Sequence, residues 1–196
     1  MSPALIDQVS TYVISLFNDY GGSDLLYHNL KHTTFVVKKS KQIAHHYSLS
    51  ENENFILSTA AWFHDTGQLF HYGRDHEAES VIVMKKYLAD KQIDSSIIGS
   101  IENCILATKM PHKPKSFLEE IICDADTFNL GTQDFLITDS LLKRECELKE
   151  NKTIDDWDIK TLSLLEHHKY FTTYCRQLLN QGKQENINII RSRLNL

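Results

Sequence analysis

The chain has 196 residues, of which 41% are hydrophobic and 24% charged, so it can bury a sizeable core and its composition argues against wholesale disorder. A formal net charge of −5 argues against a protein that coats nucleic acid or an anionic membrane surface. No signal peptide or bilayer-length apolar run is visible and the four cysteines are widely spaced, so we expect a reduced, cytoplasmic protein.

Apolar residues recur at three- and four-residue spacing almost throughout the chain, and this pattern predicts α-helices. The first helix ends at Gly21, where two glycines follow one another. A second helix is expected to start near residue 23 or 24 and to run to about residue 47. The stretch Ser50-Glu51-Asn52-Glu53 is typical of a capping box, and it opens a third helix that ends at Gly67.

The later elements are predicted from the same periodicity and from the prolines and helix-capping residues between them. In chain order they are a loop over 68–74, a helix capped by Asp75, a helix capped by Asp94 or Ser95, a proline loop over 110–115, a helix from about 117 that runs into 124–131, a helix from about 132 to 149, and a long helix from about 155 to 179 followed by a short basic segment. No alternating strand pattern or linker is visible. We therefore predict one all-α domain over 1–196, with a motif-bearing core at about 23–150 and C-terminal helices at about 155–196.

Three short stretches place histidines and carboxylates in apolar surroundings. "YHNLKHT" puts His28 and His32 four residues apart, so on a helix they would share one face. "WFHDTG" ends an apolar run on His64 and Asp65, and "CDADTF" carries Asp126. Burying a bare carboxylate is expensive unless something compensates its charge, so these positions require an explanation.

One explanation is a metal site formed by His32, His64, Asp65 and Asp126. Two neutral imidazoles and two carboxylates carry a formal charge of −2, which neutralises one divalent cation, and the nitrogen and oxygen donors suit Zn²⁺, Fe²⁺, Mn²⁺ or related ions. The alternative explanation is structural: the histidines are hydrogen-bonded core residues, and Asp126 caps a helix. Spacing alone leaves both explanations open.

The order H…HD…D resembles the signature of the HD superfamily of metal-dependent phosphohydrolases. "YHNLKH", "AAWFHDTG" and "DADTFNLG" resemble the segments that carry the signature in that family, and together they span about 28–131. The resemblance implies a helical bundle that hydrolyses a phosphate ester of a small molecule, usually nucleotide-like, through a water activated by a divalent ion. It implies that His32, His64, Asp65 and Asp126 hold that ion, which would be Mn, Fe, Zn, Mg, Ni or Co.

The resemblance also implies roles for neighbouring residues. His28 looks like the residue that protonates the leaving oxygen, although a purely structural role is an equal alternative. Asp65 and Glu77 are the other expected catalytic residues, with Glu77 orienting the attacking water. Lys109, His76 and Arg74 are expected to contact a small phosphorylated substrate, and no nucleic acid polymer or membrane is expected as a partner.

The sequence departs from relatives that hold two metals, which use extra histidines after the HD pair. His76 and Glu77 follow the pair here, but Thr108 and Lys109 stand where a second extra histidine often ends a helix, and His112 is displaced into the proline loop. We therefore expect one tightly held ion, with the Lys109 ammonium supplying charge near the substrate.

Other charged and histidine clusters are predicted to lie at the surface. They comprise Arg144 with Glu145, the adjacent pair His45 and His46, and the adjacent pair His167 and His168. Two further functions stay open at this point: a catalytically inactive regulatory module that binds metal and nucleotide, and an oxygenase with a di-iron site.

Overall fold

The computed structural model describes residues 3–70 and 75–196, and within these ranges it contains α-helices, two 3-10 turns and no β-strand. The helices are α1 Pro3–Tyr20, α2 Leu30–His46, α3 Glu51–Phe63, α4 His76–Leu88, α5 Ser95–Ala107, α6 Phe117–Asp126, α7 Phe135–Glu150, α8 Trp157–His167 and α9 Thr173–Arg193. The prediction of an all-α fold is confirmed. Within the same ranges, no helix combines the length and the hydropathy that crossing a membrane would require.

Helix α3 is the centre of the bundle. Every residue from Phe55 to Phe63 is buried, and α1, α2, α4, α5 and α6 all pack against this helix. The predicted capping box is present: Ser50 Oγ accepts a hydrogen bond from the Glu53 amide, and Glu53 Oε2 accepts one from the Ser50 amide at 2.9 Å. A helix that is apolar on all sides is stable only where neighbours cover it completely, which explains its position.

The start of α2 was predicted wrongly. The helix begins at Leu30, because the Asn29 side chain accepts hydrogen bonds from the amides of Lys31 and His32 and so caps it. The preceding amides of Tyr27 and His28 donate to the Glu145 carboxylate of α7, at 2.7 and 3.0 Å. His28 and His32 therefore do not share a helix face, because His28 lies in the segment before the helix.

Helix α3 ends at Phe63, before the predicted Gly67, and the chain continues into a 3-10 turn, Thr66–Leu69. This turn lies against the start of α4 so closely that a Cβ on Gly67 would lie 2.0 Å from the His76 carbonyl oxygen. Ser80 of α4 joins the two elements, because its hydroxyl donates to the His64 carbonyl at 2.7 Å and accepts from the Gly67 amide at 2.8 Å. The first part of the predicted loop over 68–74 is thus a buried turn, and residues 71–74 lie outside the described ranges.

The single helix predicted over 155–179 is wrong, because the chain breaks between α8 and α9. The buried Asp124 carboxylate accepts hydrogen bonds from the amides of Phe171 and Thr172, both at 2.8 Å, and from the Thr172 hydroxyl at 2.7 Å. This tertiary interaction replaces the helical hydrogen bonds that the two amides would otherwise make. His168, at the break, is buried and bonded to Thr127, contrary to the expected surface position, whereas His167 is exposed.

The break directs α9 back against the bundle, where it meets the second 3-10 turn, Phe128–Gly131. Gly182 of α9 allows this contact, because a Cβ there would lie 2.2 Å from the Gly131 carbonyl oxygen. A smaller apolar cluster joins this region to α8. It comprises Leu130, Phe135, Leu162, Leu165, Ile187 and Ile190.

We predict that Asp124→Ala will destabilise the protein by about 3 kcal/mol, because it leaves three donors of the α8–α9 connection without their acceptor. The measurement is urea unfolding followed by circular dichroism. Asp90→Ala, at an exposed position, is the matched control and should change the free energy of unfolding by less than about 0.5 kcal/mol. Equal stability of the two variants would contradict a structural role for the Asp124 carboxylate.

Candidate metal centre

Three helix ends bring the four predicted ligands together. His32 lies in the first turn of α2, His64 and Asp65 follow the last residue of α3, and Asp126 is the last residue of α6. These helices pack against one another, so side chains distant in the sequence meet in the interior. His64 and Asp65 are 1% and 4% exposed, and His32 is 9% exposed.

The distances between the ligand atoms fit a single ion. The Nε2 atoms of His32 and His64 are 3.4 Å apart, and they lie 3.1 and 3.5 Å from Asp126 Oδ1. Asp65 Oδ2 lies 3.4 Å from His32 Nε2 and 3.2 Å from His64 Nε2. Ligand atoms placed about 2.1 Å from one ion at tetrahedral or octahedral angles are separated by about 3.0–3.4 Å. The His32, His64 and Asp126 cluster could therefore hold a metal ion.

The tautomer of His64 points to the same conclusion. Its Nδ1 lies 2.9 Å from the carbonyl oxygen of Ala61, which can only accept a hydrogen bond, so Nδ1 carries the proton. In the neutral ring, Nε2 then presents a lone pair to His32 and to the two carboxylates. Metal-ligating histidines are typically fixed in this way by a backbone carbonyl.

Asp65 is the residue whose burial most needs a cation. Its Oδ2 is fully buried and has no hydrogen-bond donor, and in the described part of the chain no lysine or arginine pairs with either Asp65 or Asp126. Burial raises the pKa of a carboxyl group, but His64 and His76 outweigh this effect and hold the pKa of Asp65 well below its usual range. Without an ion, protonated imidazoles balance this carboxylate; a divalent ion would take over that role and leave the imidazoles neutral as ligands.

His76 and Glu77 extend the cluster from the start of α4. His76 Nε2 lies 3.5 Å from Asp65 Oδ1, the oxygen that faces away from His32 and His64, and 3.4 Å from Glu77 Oε1. Glu77 is buried, and its Oε2 has no hydrogen-bond partner among the described residues. The structure therefore brings both residues to the predicted site, next to Asp65.

A cleft of about 630 Å³ opens onto these side chains, and His28 forms part of its wall. His28 Nδ1 lies 2.5 Å from Glu145 Oε1, so the ring donates to the carboxylate and its Nε2 is free of that interaction. The Glu145 carboxylate also accepts from the backbone amides of Tyr27 and His28. One buried carboxylate thus holds both the ring and the backbone of this segment.

Glu145 is the main residue that the sequence analysis missed, because the prediction of a surface charge cluster with Arg144 was wrong for it. Arg144 is exposed, whereas Glu145 is fully buried. Burial raises the pKa of Glu145, but His28 and Lys149 more than offset this and bring it to about 2. The available signal was that Glu145 shares the inner face of α7 with Phe135 and Leu142, at helical spacing.

The structure places only some of the residues that were predicted to contact the substrate at the cleft. Lys109 is exposed at the rim of the cleft and forms an ion pair with Asp75, so its ammonium already has a partner. Arg74 lies outside the described residues. His112 is turned away from the cleft wall and bonds the Thr108 carbonyl through Nε2 at 3.1 Å. Tyr27, which was not predicted, lines the cleft, and burial together with the charges of Asp126 and Asp65 raises its pKa.

The fold and the site define an all-helical protein with a candidate metal centre at the base of a cleft. Comparison of the chain with protein-family models, with curated proteins and with solved structures gives no match. The functional assignment therefore depends on the chemistry of the side chains that line this cleft.

We predict that the purified chain binds a divalent ion and that His64→Ala and Asp126→Ala each weaken the affinity more than about 100-fold, since even outer partners of a metal site contribute 10–100-fold. The measurement is elemental analysis after gel filtration, with a competing chelator to give the dissociation constant. An ion present at about 100 times that constant should raise the free energy of unfolding by about 2.7 kcal/mol.

His45→Ala is the matched control for this measurement, because it removes an exposed imidazole from the last turn of α2, at the opposite end of that helix from His32, and outside the cleft. It should leave metal affinity unchanged. Metal affinity that persists in His64→Ala and Asp126→Ala would show that the ion binds elsewhere.

Proposed function

We propose that the protein is a cytoplasmic, metal-dependent phosphohydrolase of the HD type, acting on a phosphate ester of a nucleotide or similar small molecule. The observation that carries the proposal is the convergence of His32, His64, Asp65 and Asp126, whose ligand atoms lie 3.1–3.5 Å apart in the five pairs measured. The sequence places these residues in the order H…HD…D, and the resemblance to HD phosphohydrolases rests on that order and its flanking segments.

The two imidazoles and two carboxylates would hold one divalent ion with their charges balanced. Such an ion lowers the pKa of a water molecule towards neutrality and polarises a phosphoryl oxygen, and these are the two requirements of phosphate ester hydrolysis at neutral pH. Glu77 supports the proposal because it lines the same cleft and its Oε2 has no hydrogen-bond partner among the described residues, so its carboxylate could accept a hydrogen bond from the attacking water.

His28 is suited to protonate the leaving oxygen. Glu145 fixes the ring through Nδ1, so Nε2 is the nitrogen that remains for a substrate in the cleft. The carboxylate also lies where it compensates a positive charge on the ring. An alkoxide leaving group requires a proton, whereas a nitrophenolate leaves without one, so this role distinguishes the two kinds of ester.

The size and the walls of the cleft support a small substrate. At about 630 Å³ the cleft is within the range of ligand pockets, and it exceeds the need of inorganic phosphate alone. Beyond the charged end, its walls are largely apolar. They include Met110, Leu130, Phe135, Leu142 and Leu164. A substrate fits this cleft if its phosphate lies at the charged end and its nucleoside, or another compact organic group, lies against the apolar walls.

The decisive experiment is hydrolysis of p-nitrophenyl phosphate, bis-p-nitrophenyl phosphate and a panel of nucleotides with Mn²⁺ or another divalent ion. We expect turnover that a chelator abolishes and that Asp126→Ala reduces more than about 100-fold, since the residue would hold the ion. His45→Ala should keep full activity.

Two other outcomes would overturn the proposal. Bound metal without turnover of any compound in the panel would favour a regulatory module. Two irons per chain, with consumption of oxygen in the presence of a substrate, would favour an oxygenase; His76 and Glu77 beside Asp65 are the residues that a second ion would use.

We predict that Glu145→Gln lowers kcat for alkyl phosphate esters about 10- to 100-fold, because His28 loses its charged partner, and lowers it less for p-nitrophenyl esters. Metal affinity should not change. Glu147→Gln, on the same helix but outside the cleft wall, is the control and should behave as the native chain. An equal loss for both ester types would assign Glu145 a structural role only.

A further inference from the structure

The two imidazoles of the candidate metal centre are supported differently. His64 Nδ1 donates to the Ala61 carbonyl, but no described residue forms a hydrogen bond with His32 Nδ1. His32 is nevertheless more than nine-tenths buried. Histidines that ligate metals nearly always donate through their other ring nitrogen, so a ligand that accepts a hydrogen bond from His32 Nδ1 would complete the support of this residue.

His32 lines a second cavity, which we call the side pocket. It has a volume of about 210 Å³ and adjoins the main cleft, with which it shares Tyr27, Asn129 and Thr138 but not His32. Because Nε2 of His32 faces His64 and Asp126, the Nδ1 edge of the ring is the one left to face the side pocket. The apolar walls of the side pocket are formed by Leu26, Phe35, Ile137 and Leu141.

The protonation of the His32 ring determines which kind of ligand the side pocket can bind. When the Nε2 lone pair points to a cation, the proton of the neutral ring must be on Nδ1, which then becomes a hydrogen-bond donor. Lys31, also in the pocket wall, adds a positive charge. The exposed Asp134 at the start of α7 lines the pocket as well and would repel an anion, so an anionic head group would lie on the side of His32 and Lys31.

We propose that the side pocket binds a small carboxylic acid anion with an aromatic or short aliphatic body of about ten non-hydrogen atoms. Its carboxylate accepts the hydrogen bond from His32 Nδ1, and its body lies against Leu141 and the other apolar walls. This regulatory site rests on the proposed function, because it requires His32 to ligate the ion. A carboxylate on Nδ1 fixes the ring and strengthens Nε2 as a ligand, so anion and metal should each bind more tightly when the other is present.

The test uses benzoate as the probe and zinc as the ion. Benzoate is titrated into zinc-loaded and chelator-treated protein and followed by NMR, with an expected dissociation constant of about 1 mM for the loaded form, the affinity of a small fragment. We expect weaker binding without zinc, and a zinc affinity that rises by the same factor, about 5- to 10-fold, when benzoate is present. Benzyl alcohol, which lacks the anionic head, should bind more weakly than benzoate.

Two variants alter the side pocket without touching the metal ligands or the main cleft. Leu141→Trp fills it from an exposed position and should abolish benzoate binding, and Lys31→Met should weaken binding about 5-fold. Neither should change zinc affinity in the absence of benzoate. Leu148→Trp, further along the exposed side of α7 and outside the pocket, is the matched control and should bind benzoate normally.

The outcomes separate this proposal from the proposed function. Zinc binding and turnover without benzoate binding at about 10 mM, which is ten times the expected constant, would overturn only the side-pocket proposal. Benzoate binding that Leu141→Trp leaves intact, or that leaves zinc affinity unchanged, would overturn it too. A chain that binds no divalent ion would overturn the proposed function and, with it, the regulatory role.

Discussion

Two largely buried carboxylates that pair with no lysine or arginine among the described residues are the constraint around which this bundle is built. Asp65 and Asp126 reach the interior from the ends of α3 and α6, and only imidazoles face them there among the described residues. The free energy of burying such groups is unfavourable unless a cation compensates them. The ends of α3 and α6 must therefore lie close enough for these side chains to surround one point. The packing of α2 against α3 and α6 brings the ends together.

Helix α7 connects this centre to the wall of the cleft. Only Phe135 and Glu145 of the helix are buried, so apolar packing alone holds it weakly. The Glu145 carboxylate supplies the remaining attachment by binding the backbone and ring of the segment before α2, and Lys149 connects the same region to Gln68 at 3.1 Å. The interaction that positions the helix also orients His28, so the shape of the cleft and the chemistry of its wall depend on one side chain.

Local signals in the sequence predicted a large part of the fold. The capping box at 50–53, the cap at Asp94 and the proline loop over 110–115 all act through neighbours in the chain, and the structure contains them. The helix predicted across 155–179 fails for the opposite reason, because Asp124 captures the amides of Phe171 and Thr172 from 47 and 48 residues away. The spacing of apolar residues within a segment carries no information about a distant acceptor that competes for the backbone hydrogen bonds of that segment.

The sequence by itself determined the helical class of the protein, because periodicity is a property of short stretches, and the resemblance to HD phosphohydrolases indicated which residues to look for at the candidate metal centre. Only the tertiary structure decided that His28 stands outside α2, that Glu145 is buried beside it, and that one edge of His32 opens into a second pocket. These features depend on which surfaces of distant helices face each other. Such contacts arise from packing and from the pairing of buried polar groups, and no spacing along the chain encodes them directly.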